Sequence, residues 1–205
     1  MHSMAAAARA LPILTFDDAA LCPSFGYVFD THWLGPYESI VSILWKFARM
    51  NALPGHVLVG HLCAQPVDPY EGICASPAGV ETRRVAGILG VPMKVVRCAL
   101  GSTSGRRPLD SHLRHCPRCM SRGYHSIVHQ FLGAMHCPAH GDWLEQGCDA
   151  CGHAAEYRLD AQLLDAPFKC PRCRRPYGRS TINLWTSSPL PKRMRTAMTR
   201  AYFSY

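Results

Sequence analysis

The feature that most constrains this chain is a series of four short metal-ligand pairs in its second half. Each pair places two cysteines, or a cysteine and a histidine, on either side of two residues, so that both side chains of a tight turn can meet one ion. The pairs are Cys116 with Cys119, Cys137 with His140, Cys148 with Cys151, and Cys170 with Cys173. Because tetrahedral zinc needs four ligands, the sequence predicts two zinc ions per chain.

The order in which the pairs combine is open. Pairing in chain order gives a site of three cysteines and one histidine, then a site of four cysteines whose spacing is typical of zinc ribbons. Interleaved pairing, which joins the first pair to the third, is an alternative. In both cases protein ligands fill all four positions, so we expect structural rather than catalytic zinc.

The remaining cysteines and histidines have no partner at ligand spacing. Four of the eleven cysteines are predicted to be bystanders: Cys22, Cys63, Cys74 and Cys98. Three histidines next to the pairs could compete as ligands, namely His112, His115 and His136. We expect His125, His129 and His153 to be ordinary polar residues.

The basic charge of the chain is concentrated at one end. The net charge is +8, but residues 1–105 are neutral and residues 169–205 contain nine basic and no acidic side chains. Such a segment is typical of a surface that binds a polyanion, although a solvated C-terminus would look the same. The predicted DNA contacts in this segment are Lys169, Arg172, Arg174, Arg175, Arg179, Lys192, Arg193 and Arg195.

The first half of the chain has helical patterns. Apolar residues at helical spacing predict an amphipathic helix over residues 38–51, followed by a shorter helix through Leu58 and Leu62. Residues 82–101 resemble a helix-turn-helix, with Gly90 in the turn and Pro92 opening the second helix. That second helix offers only Lys94 and Arg97, so we expect phosphate contact or a structural role rather than base reading.

These patterns predict a fold class and a division of the chain. The fold class is a mainly α N-terminal half, helix-turn-helix-like, followed by small zinc-ribbon or zinc-knuckle modules, that is, α with a little β. The predicted segments are an irregular stretch over 1–34, a helical domain over 35–105, a double zinc domain over 110–178 and a basic tail over 179–205. No stretch reaches the roughly 20 apolar residues of a membrane span, and no secretory signal is evident, so we expect a cytoplasmic protein.

No catalytic motif accompanies the metal ligands. The chain contains no His-x-Glu of a zinc deaminase, no phosphate-binding glycine loop, no His-Glu-x-x-His and no Gly-x-Ser-x-Gly. We therefore predict that the protein is not an enzyme.

Four stretches of the sequence resemble the TniQ family, the target-selection proteins of Tn7-like transposons. They are YESIVSIL with ARMN (residues 37–44 and 48–51), the helix-turn-helix-like residues 85–100, HCPRCM (115–120), and CPAHG with Leu144 and CDACG (137–152). The resemblance implies a non-enzymatic adaptor that links target DNA or a targeting complex to an AAA+ ATPase regulator of transposition, with the eight pair residues as zinc ligands. A zinc-ribbon transcription regulator and a protein-interaction module unrelated to transposition are the alternatives.

Overall fold

The computed structural model describes residues 26–102, 107–179 and 190–205. Across these residues the chain forms seven α-helices and one two-stranded sheet, so it is mainly helical with a little β structure. Most of the predicted irregular stretch, Cys22 and residues 180–189 of the predicted tail lie outside the described residues. Within the described ranges, no helix has the length and apolar character needed to cross a membrane.

Helix α1 (Ile40–Asn51) lies at the centre of the molecule. Ser39 caps it, since its Oγ accepts a hydrogen bond from the Ser42 amide at 3.2 Å, and the helix ends at Ala52 in the left-handed region with φ 49°. The predicted helix is confirmed, but the solvent-exposed polar face expected of an amphipathic helix is missing over most of its length. All nine residues from 40 to 48 are buried, because chain surrounds the helix on every side.

A buried ion pair anchors the segment before α1. Glu38 lies 2.6 Å from Lys46 Nζ, and both side chains are buried. The same carboxylate accepts hydrogen bonds from Ser42 Oγ at 2.5 Å and from the Gly35 amide at 2.8 Å. The paired charges therefore fix residues 35–38 against the helix.

Three shorter helices follow in the first half. They are α2 (Gly55–Leu62), α3 (Thr82–Leu89) and α4 (Met93–Ala99). A tight turn joins α3 to α4 at Gly90, which has φ 64° and donates its amide to the carbonyls at the end of α3. Helices lie at the predicted positions with Gly90 between them, whereas the helix-turn-helix assignment of this pair and its DNA-binding role stay predictions.

The second half contributes small elements that pack directly on the first half. Helices α5 (Pro117–Met120) and α6 (Ala161–Leu164) are single turns. Strand β1 (Ile73–Cys74) pairs antiparallel with β2 (Arg158–Leu159), with Ile73 opposite Leu159. The only regular sheet of the described residues thus joins one half of the chain to the other.

The two halves share one buried apolar cluster. Trp45 in α1 is fully buried and donates its Nε1 hydrogen to the carbonyl oxygen of Leu163 at 2.7 Å. Its ring lies 4.8 Å, centroid to centroid, from that of Phe168. At the start of α2, the Gly55 amide donates to Asp165 Oδ1 at 2.5 Å. The metal-binding half is therefore docked on the helical half, and the division into four segments stays a prediction.

The last helix, α7 (Lys192–Ser204), contains four of the five basic residues of the predicted tail. Met194, Met198 and Tyr202 recur every four residues and are buried. Tyr202 stacks on Tyr37 with ring centroids 3.9 Å apart. The end of the chain is therefore a docked helix with its basic residues outward, rather than a solvated tail.

Candidate metal centres

Three of the four ligand pairs share one backbone geometry. In each pair, the backbone N–H of the first ligand donates a hydrogen bond to the carbonyl oxygen of the residue five positions later. The carbonyl oxygen of the same first ligand accepts a hydrogen bond from the backbone N–H of the residue four positions later. These bonds measure 2.8 to 3.0 Å and start at Cys137, Cys148 and Cys170. Each pair is followed by a residue in the left-handed region, at Gly141 (φ 73°), Gly152 (φ 69°) and Arg174 (φ 62°). The turn reverses the chain immediately after the second ligand and presents both ligand side chains on one side.

The first pair is built differently. Cys116 is the N-cap of α5 and Cys119 lies within that helix, with Pro117 in its first turn. The Met120 amide closes the turn by donating to the Cys116 carbonyl at 2.9 Å. A helical turn also places residues three apart on one face, so this pair can meet the same ion as a pair on a reverse turn.

The structure brings the pairs together in chain order. The first cluster contains Cys116, Cys119, Cys137 and His140, and the second contains Cys148, Cys151, Cys170 and Cys173. In each cluster the four ligand atoms lie within 4.8 Å of one another. Sequential pairing is therefore observed and interleaved pairing is not.

The spacing of the ligand atoms fits a tetrahedron around zinc. With Zn–S near 2.3 Å and Zn–N near 2.0 Å, the edges should be about 3.8 Å between sulfurs and about 3.5 Å from sulfur to nitrogen. In the first cluster, His140 Nδ1 lies 3.3, 3.4 and 3.5 Å from the three sulfurs, and the Cys119 and Cys137 sulfurs are 3.6 Å apart. In the second, the sulfur of Cys173 lies 3.6 Å from that of Cys148. The corresponding distance between Cys151 and Cys170 is 3.7 Å. Two zinc ions suit these ligand sets, which are rich in thiolates and leave no place for water.

The chemistry of the first cluster also calls for a cation. Hydrogen bonding to Cys116 and Cys137, together with burial, holds the pKa of Cys119 well above its ordinary value. Hydrogen bonding to Cys116 is also the main cause that raises the pKa of Cys137, to about 12. Three crowded thiols in a buried site do not all ionise alone, whereas zinc binds them as thiolates and supplies the missing charge.

The two clusters differ in exposure. Cys116, Cys119 and Cys137 are buried, and they form an apolar cluster with Tyr124 and with two methionines of α7, Met194 and Met198. Helix α7 thus covers the first site. In the second cluster Cys151 and Cys173 are exposed, so that site faces solvent on one side.

The other predicted bystanders lie outside both clusters. Cys63, Cys74 and Cys98 are free thiols. The three histidines that could have competed as ligands also belong to neither cluster, namely His112, His115 and His136. Burial lowers the pKa of His115 to about 4, and its ring lies 4.4 Å from that of Tyr177.

Two histidines, His125 and His129, lie in the core, although the sequence analysis expected ordinary polar residues at these positions. His125 is fully buried, and its ring nitrogens contact Ser39 Oγ at 2.6 Å and the Arg114 carbonyl at 2.7 Å. His129 is also fully buried, and neither ring nitrogen has a hydrogen-bond partner among the described residues. Burial lowers the pKa of both rings, so both are neutral. Their spacing of four within an apolar run was the available signal of burial.

The predicted DNA contacts fall into two groups. Four arginines around the last pair are exposed, namely Arg172, Arg174, Arg175 and Arg179, while Lys169 is half-buried. The second group is exposed on helices, with Lys94 and Arg97 on α4 and Lys192, Arg193 and Arg195 on α7. Lys94, Lys192 and Arg195 line two adjoining cavities, and the arginines of the first group line neither.

No family model and no curated protein matches this chain.

Proposed function

We propose that this chain is a non-enzymatic adaptor, stabilised by two zinc ions, that associates with DNA in the manner that the TniQ resemblance implies. The observation that carries the proposal is the pair of closed ligand clusters, the second of which bears exposed arginines. Because every ligand position is filled by the protein, zinc would hold the fold together and leave no position for a substrate.

The last ligand pair supplies the DNA surface in this proposal. A zinc ion with four thiolates carries a net charge of −2. Residues 169–179 carry five cations and no carboxylate, which is more than that charge requires. None of the exposed arginines there forms an ion pair with another described residue. Such a surface is suited to phosphate contacts, which give affinity with little sequence preference.

The salt dependence of DNA affinity tests this surface. A triple variant with Arg172→Ala, Arg175→Ala and Arg179→Ala removes three exposed cations and spares Arg174, whose Nη1 donates to the Asp165 carbonyl at 2.8 Å. Fluorescence anisotropy with a labelled DNA duplex at several salt concentrations should show a slope of log affinity reduced by about 2 to 3, since each phosphate contact contributes about 0.9.

A matched control separates a local surface from overall charge. The triple variant Arg49→Ala, Arg83→Ala and Arg84→Ala removes the same charge from α1 and α3, at two exposed positions and one half-buried position. We expect its slope to stay within about 0.5 of the wild-type value. Equal loss in both triple variants, or an unchanged slope in the first, would reject the assignment.

The protein partner in this proposal is an AAA+ ATPase that regulates transposition, with a targeting complex as a further partner. Affinity purification of the tagged chain from its native cells, followed by mass spectrometry, tests it. Recovery of such an ATPase supports the adaptor role. Recovery of transcription machinery without it would favour the transcription regulator instead.

A further inference from the structure

Two adjoining cavities make up a groove between α4, α7 and the segment before α1. One has a volume of about 460 Å³ and the other about 540 Å³. They share Leu34, Pro36 and Thr199 as lining residues, so they lie side by side along these three residues. We call this the α4–α7 groove.

The floor of the groove is mostly aliphatic. Leu34, Pro36, Ile43 and Val95 line it, and these come from two separate parts of the chain. Such side chains accept a large apolar side chain of a ligand and offer it no hydrogen bond.

The walls of the groove are held in place by specific contacts. The Tyr124 hydroxyl donates to the Pro36 carbonyl at 2.7 Å. A Cβ at Gly35 would come within 2.5 Å of the Tyr124 ring, so only glycine fits there. Tyr37 adopts φ 52°, a strained value for an aromatic residue, and its ring is stacked on Tyr202. The groove is therefore preformed.

The rim of the groove is cationic. Four exposed basic side chains line the two cavities, namely Lys94, Lys192, Arg195 and Arg200, and none has an ion-pair partner within residues 26–102, 107–179 and 190–205. The one carboxylate that lines the groove is Glu38, which is buried and neutralised by Lys46. Among the described residues, the groove thus combines an apolar floor with a positive rim that no carboxylate neutralises.

We propose that the α4–α7 groove binds an acidic amphipathic segment of a protein partner. One or two large apolar side chains of that segment would occupy the floor, and its flanking carboxylates would lie at the rim. A single-stranded nucleic acid is a poorer match, because its bases stack on free aromatic faces, whereas the Tyr37 ring that lines this groove is already stacked on Tyr202. A duplex would contact the basic rim through its phosphates but would leave the aliphatic floor unfilled. This assigns Lys94, Lys192 and Arg195 to a protein partner and leaves the arginines of the last ligand pair for DNA.

The test uses the zinc-loaded full chain and a fluorescein-labelled peptide in which a Leu-Phe-Leu core is flanked by three glutamates on each side. Anisotropy should show saturable binding. Replacing the three apolar residues by serine, or the glutamates by glutamine, should weaken it by at least about five-fold.

Matched variants on the same two helices locate the binding site. Lys94→Glu and Arg195→Glu reverse charges at the rim, and each should weaken peptide binding by at least about five-fold. Arg97→Glu and Arg193→Glu make the same charge change at exposed positions on α4 and α7 that line neither cavity. These two should stay within about two-fold of the wild type.

Three outcomes would overturn the proposal. One is the absence of saturable peptide binding, and another is equal loss in rim and control variants. The third is an oligonucleotide that binds more tightly than the peptide and is weakened only by the rim variants, which would assign the groove to nucleic acid. Failure of the DNA surface at the last ligand pair would leave this result unchanged, because those arginines do not line the groove.

Discussion

Replacing Gly55 with alanine should loosen the docking of the metal-binding half on the helical half. Gly55 is buried at the first position of α2, where a Cβ would lie 2.4 Å from the Ala161 carbonyl oxygen and 3.0 Å from its Cα. Both atoms are backbone, so one of the two helices has to move. Gly60 lies in the same helix, is exposed, and has nothing within 4 Å of the position that a Cβ would take.

The expected magnitudes follow from these contacts. Overpacking against backbone atoms costs about 1–3 kcal/mol. The shift also weakens the hydrogen bond from the Gly55 amide to the Asp165 carboxylate, and hydrogen bonds to charged groups contribute about 1.5–3 kcal/mol each. We therefore expect Gly55→Ala to lower the free energy of unfolding by about 3 kcal/mol. Gly60→Ala should raise it by about 0.5–1 kcal/mol, because alanine favours the helix.

Thermal denaturation of the zinc-loaded chain, followed by far-UV circular dichroism, measures the difference. A gap of about 4 kcal/mol corresponds to a difference of about 8–16 °C in Tm between the two variants. Zinc content should be the same in both before heating. Equal Tm values would refute the argument that the two halves are packed backbone against backbone at this point.

Two further predictions concern the buried polar residues. Glu38→Gln leaves the Lys46 ammonium buried without its counter-charge and should cost about 3–5 kcal/mol in urea denaturation, while adding Lys46→Met should recover much of that loss. Burial holds the pKa of His125 at about 4, below its ordinary 6.5. Between these two values the unfolded chain binds a proton that the folded chain does not. The free energy of unfolding should therefore be unaffected above pH 6.5 and should fall by about 2 kcal/mol by pH 5. His125→Gln should flatten that part of the stability profile in excess zinc, and an unchanged slope would exclude this histidine as its source.

The ligand pairs could be predicted from the sequence because their geometry is local. Two ligands separated by two residues form a site on a single turn, and the left-handed residue after the turn is a glycine in two of the three reverse turns. The choice between sequential and interleaved pairing could not be made from the sequence, because it depends on how the intervening chain packs.

The docking of α7 on the rest of the chain could not be predicted from the composition of that segment. The segment has a high density of basic residues, including Lys192, Arg193 and Arg195, so its sequence indicates a charged tail. Its apolar stripe consists of only two methionines and a tyrosine. The shared core could not be predicted from the sequence either, because the hydrogen bond between Trp45 and Leu163 joins residues 118 positions apart. Contacts of that range are set by the tertiary fold rather than by any local pattern.

Zinc stoichiometry in paired cysteine variants tests the central claim most directly. The wild-type chain should contain about two zinc ions, by the four-ligand geometry of structural sites. The double variant Cys119→Ser with Cys137→Ser damages only the first cluster and should keep one zinc, whereas Cys119→Ser with Cys148→Ser damages both clusters and should keep none. One zinc or fewer in the wild type, or the reverse order in the two double variants, would contradict the two clusters described here.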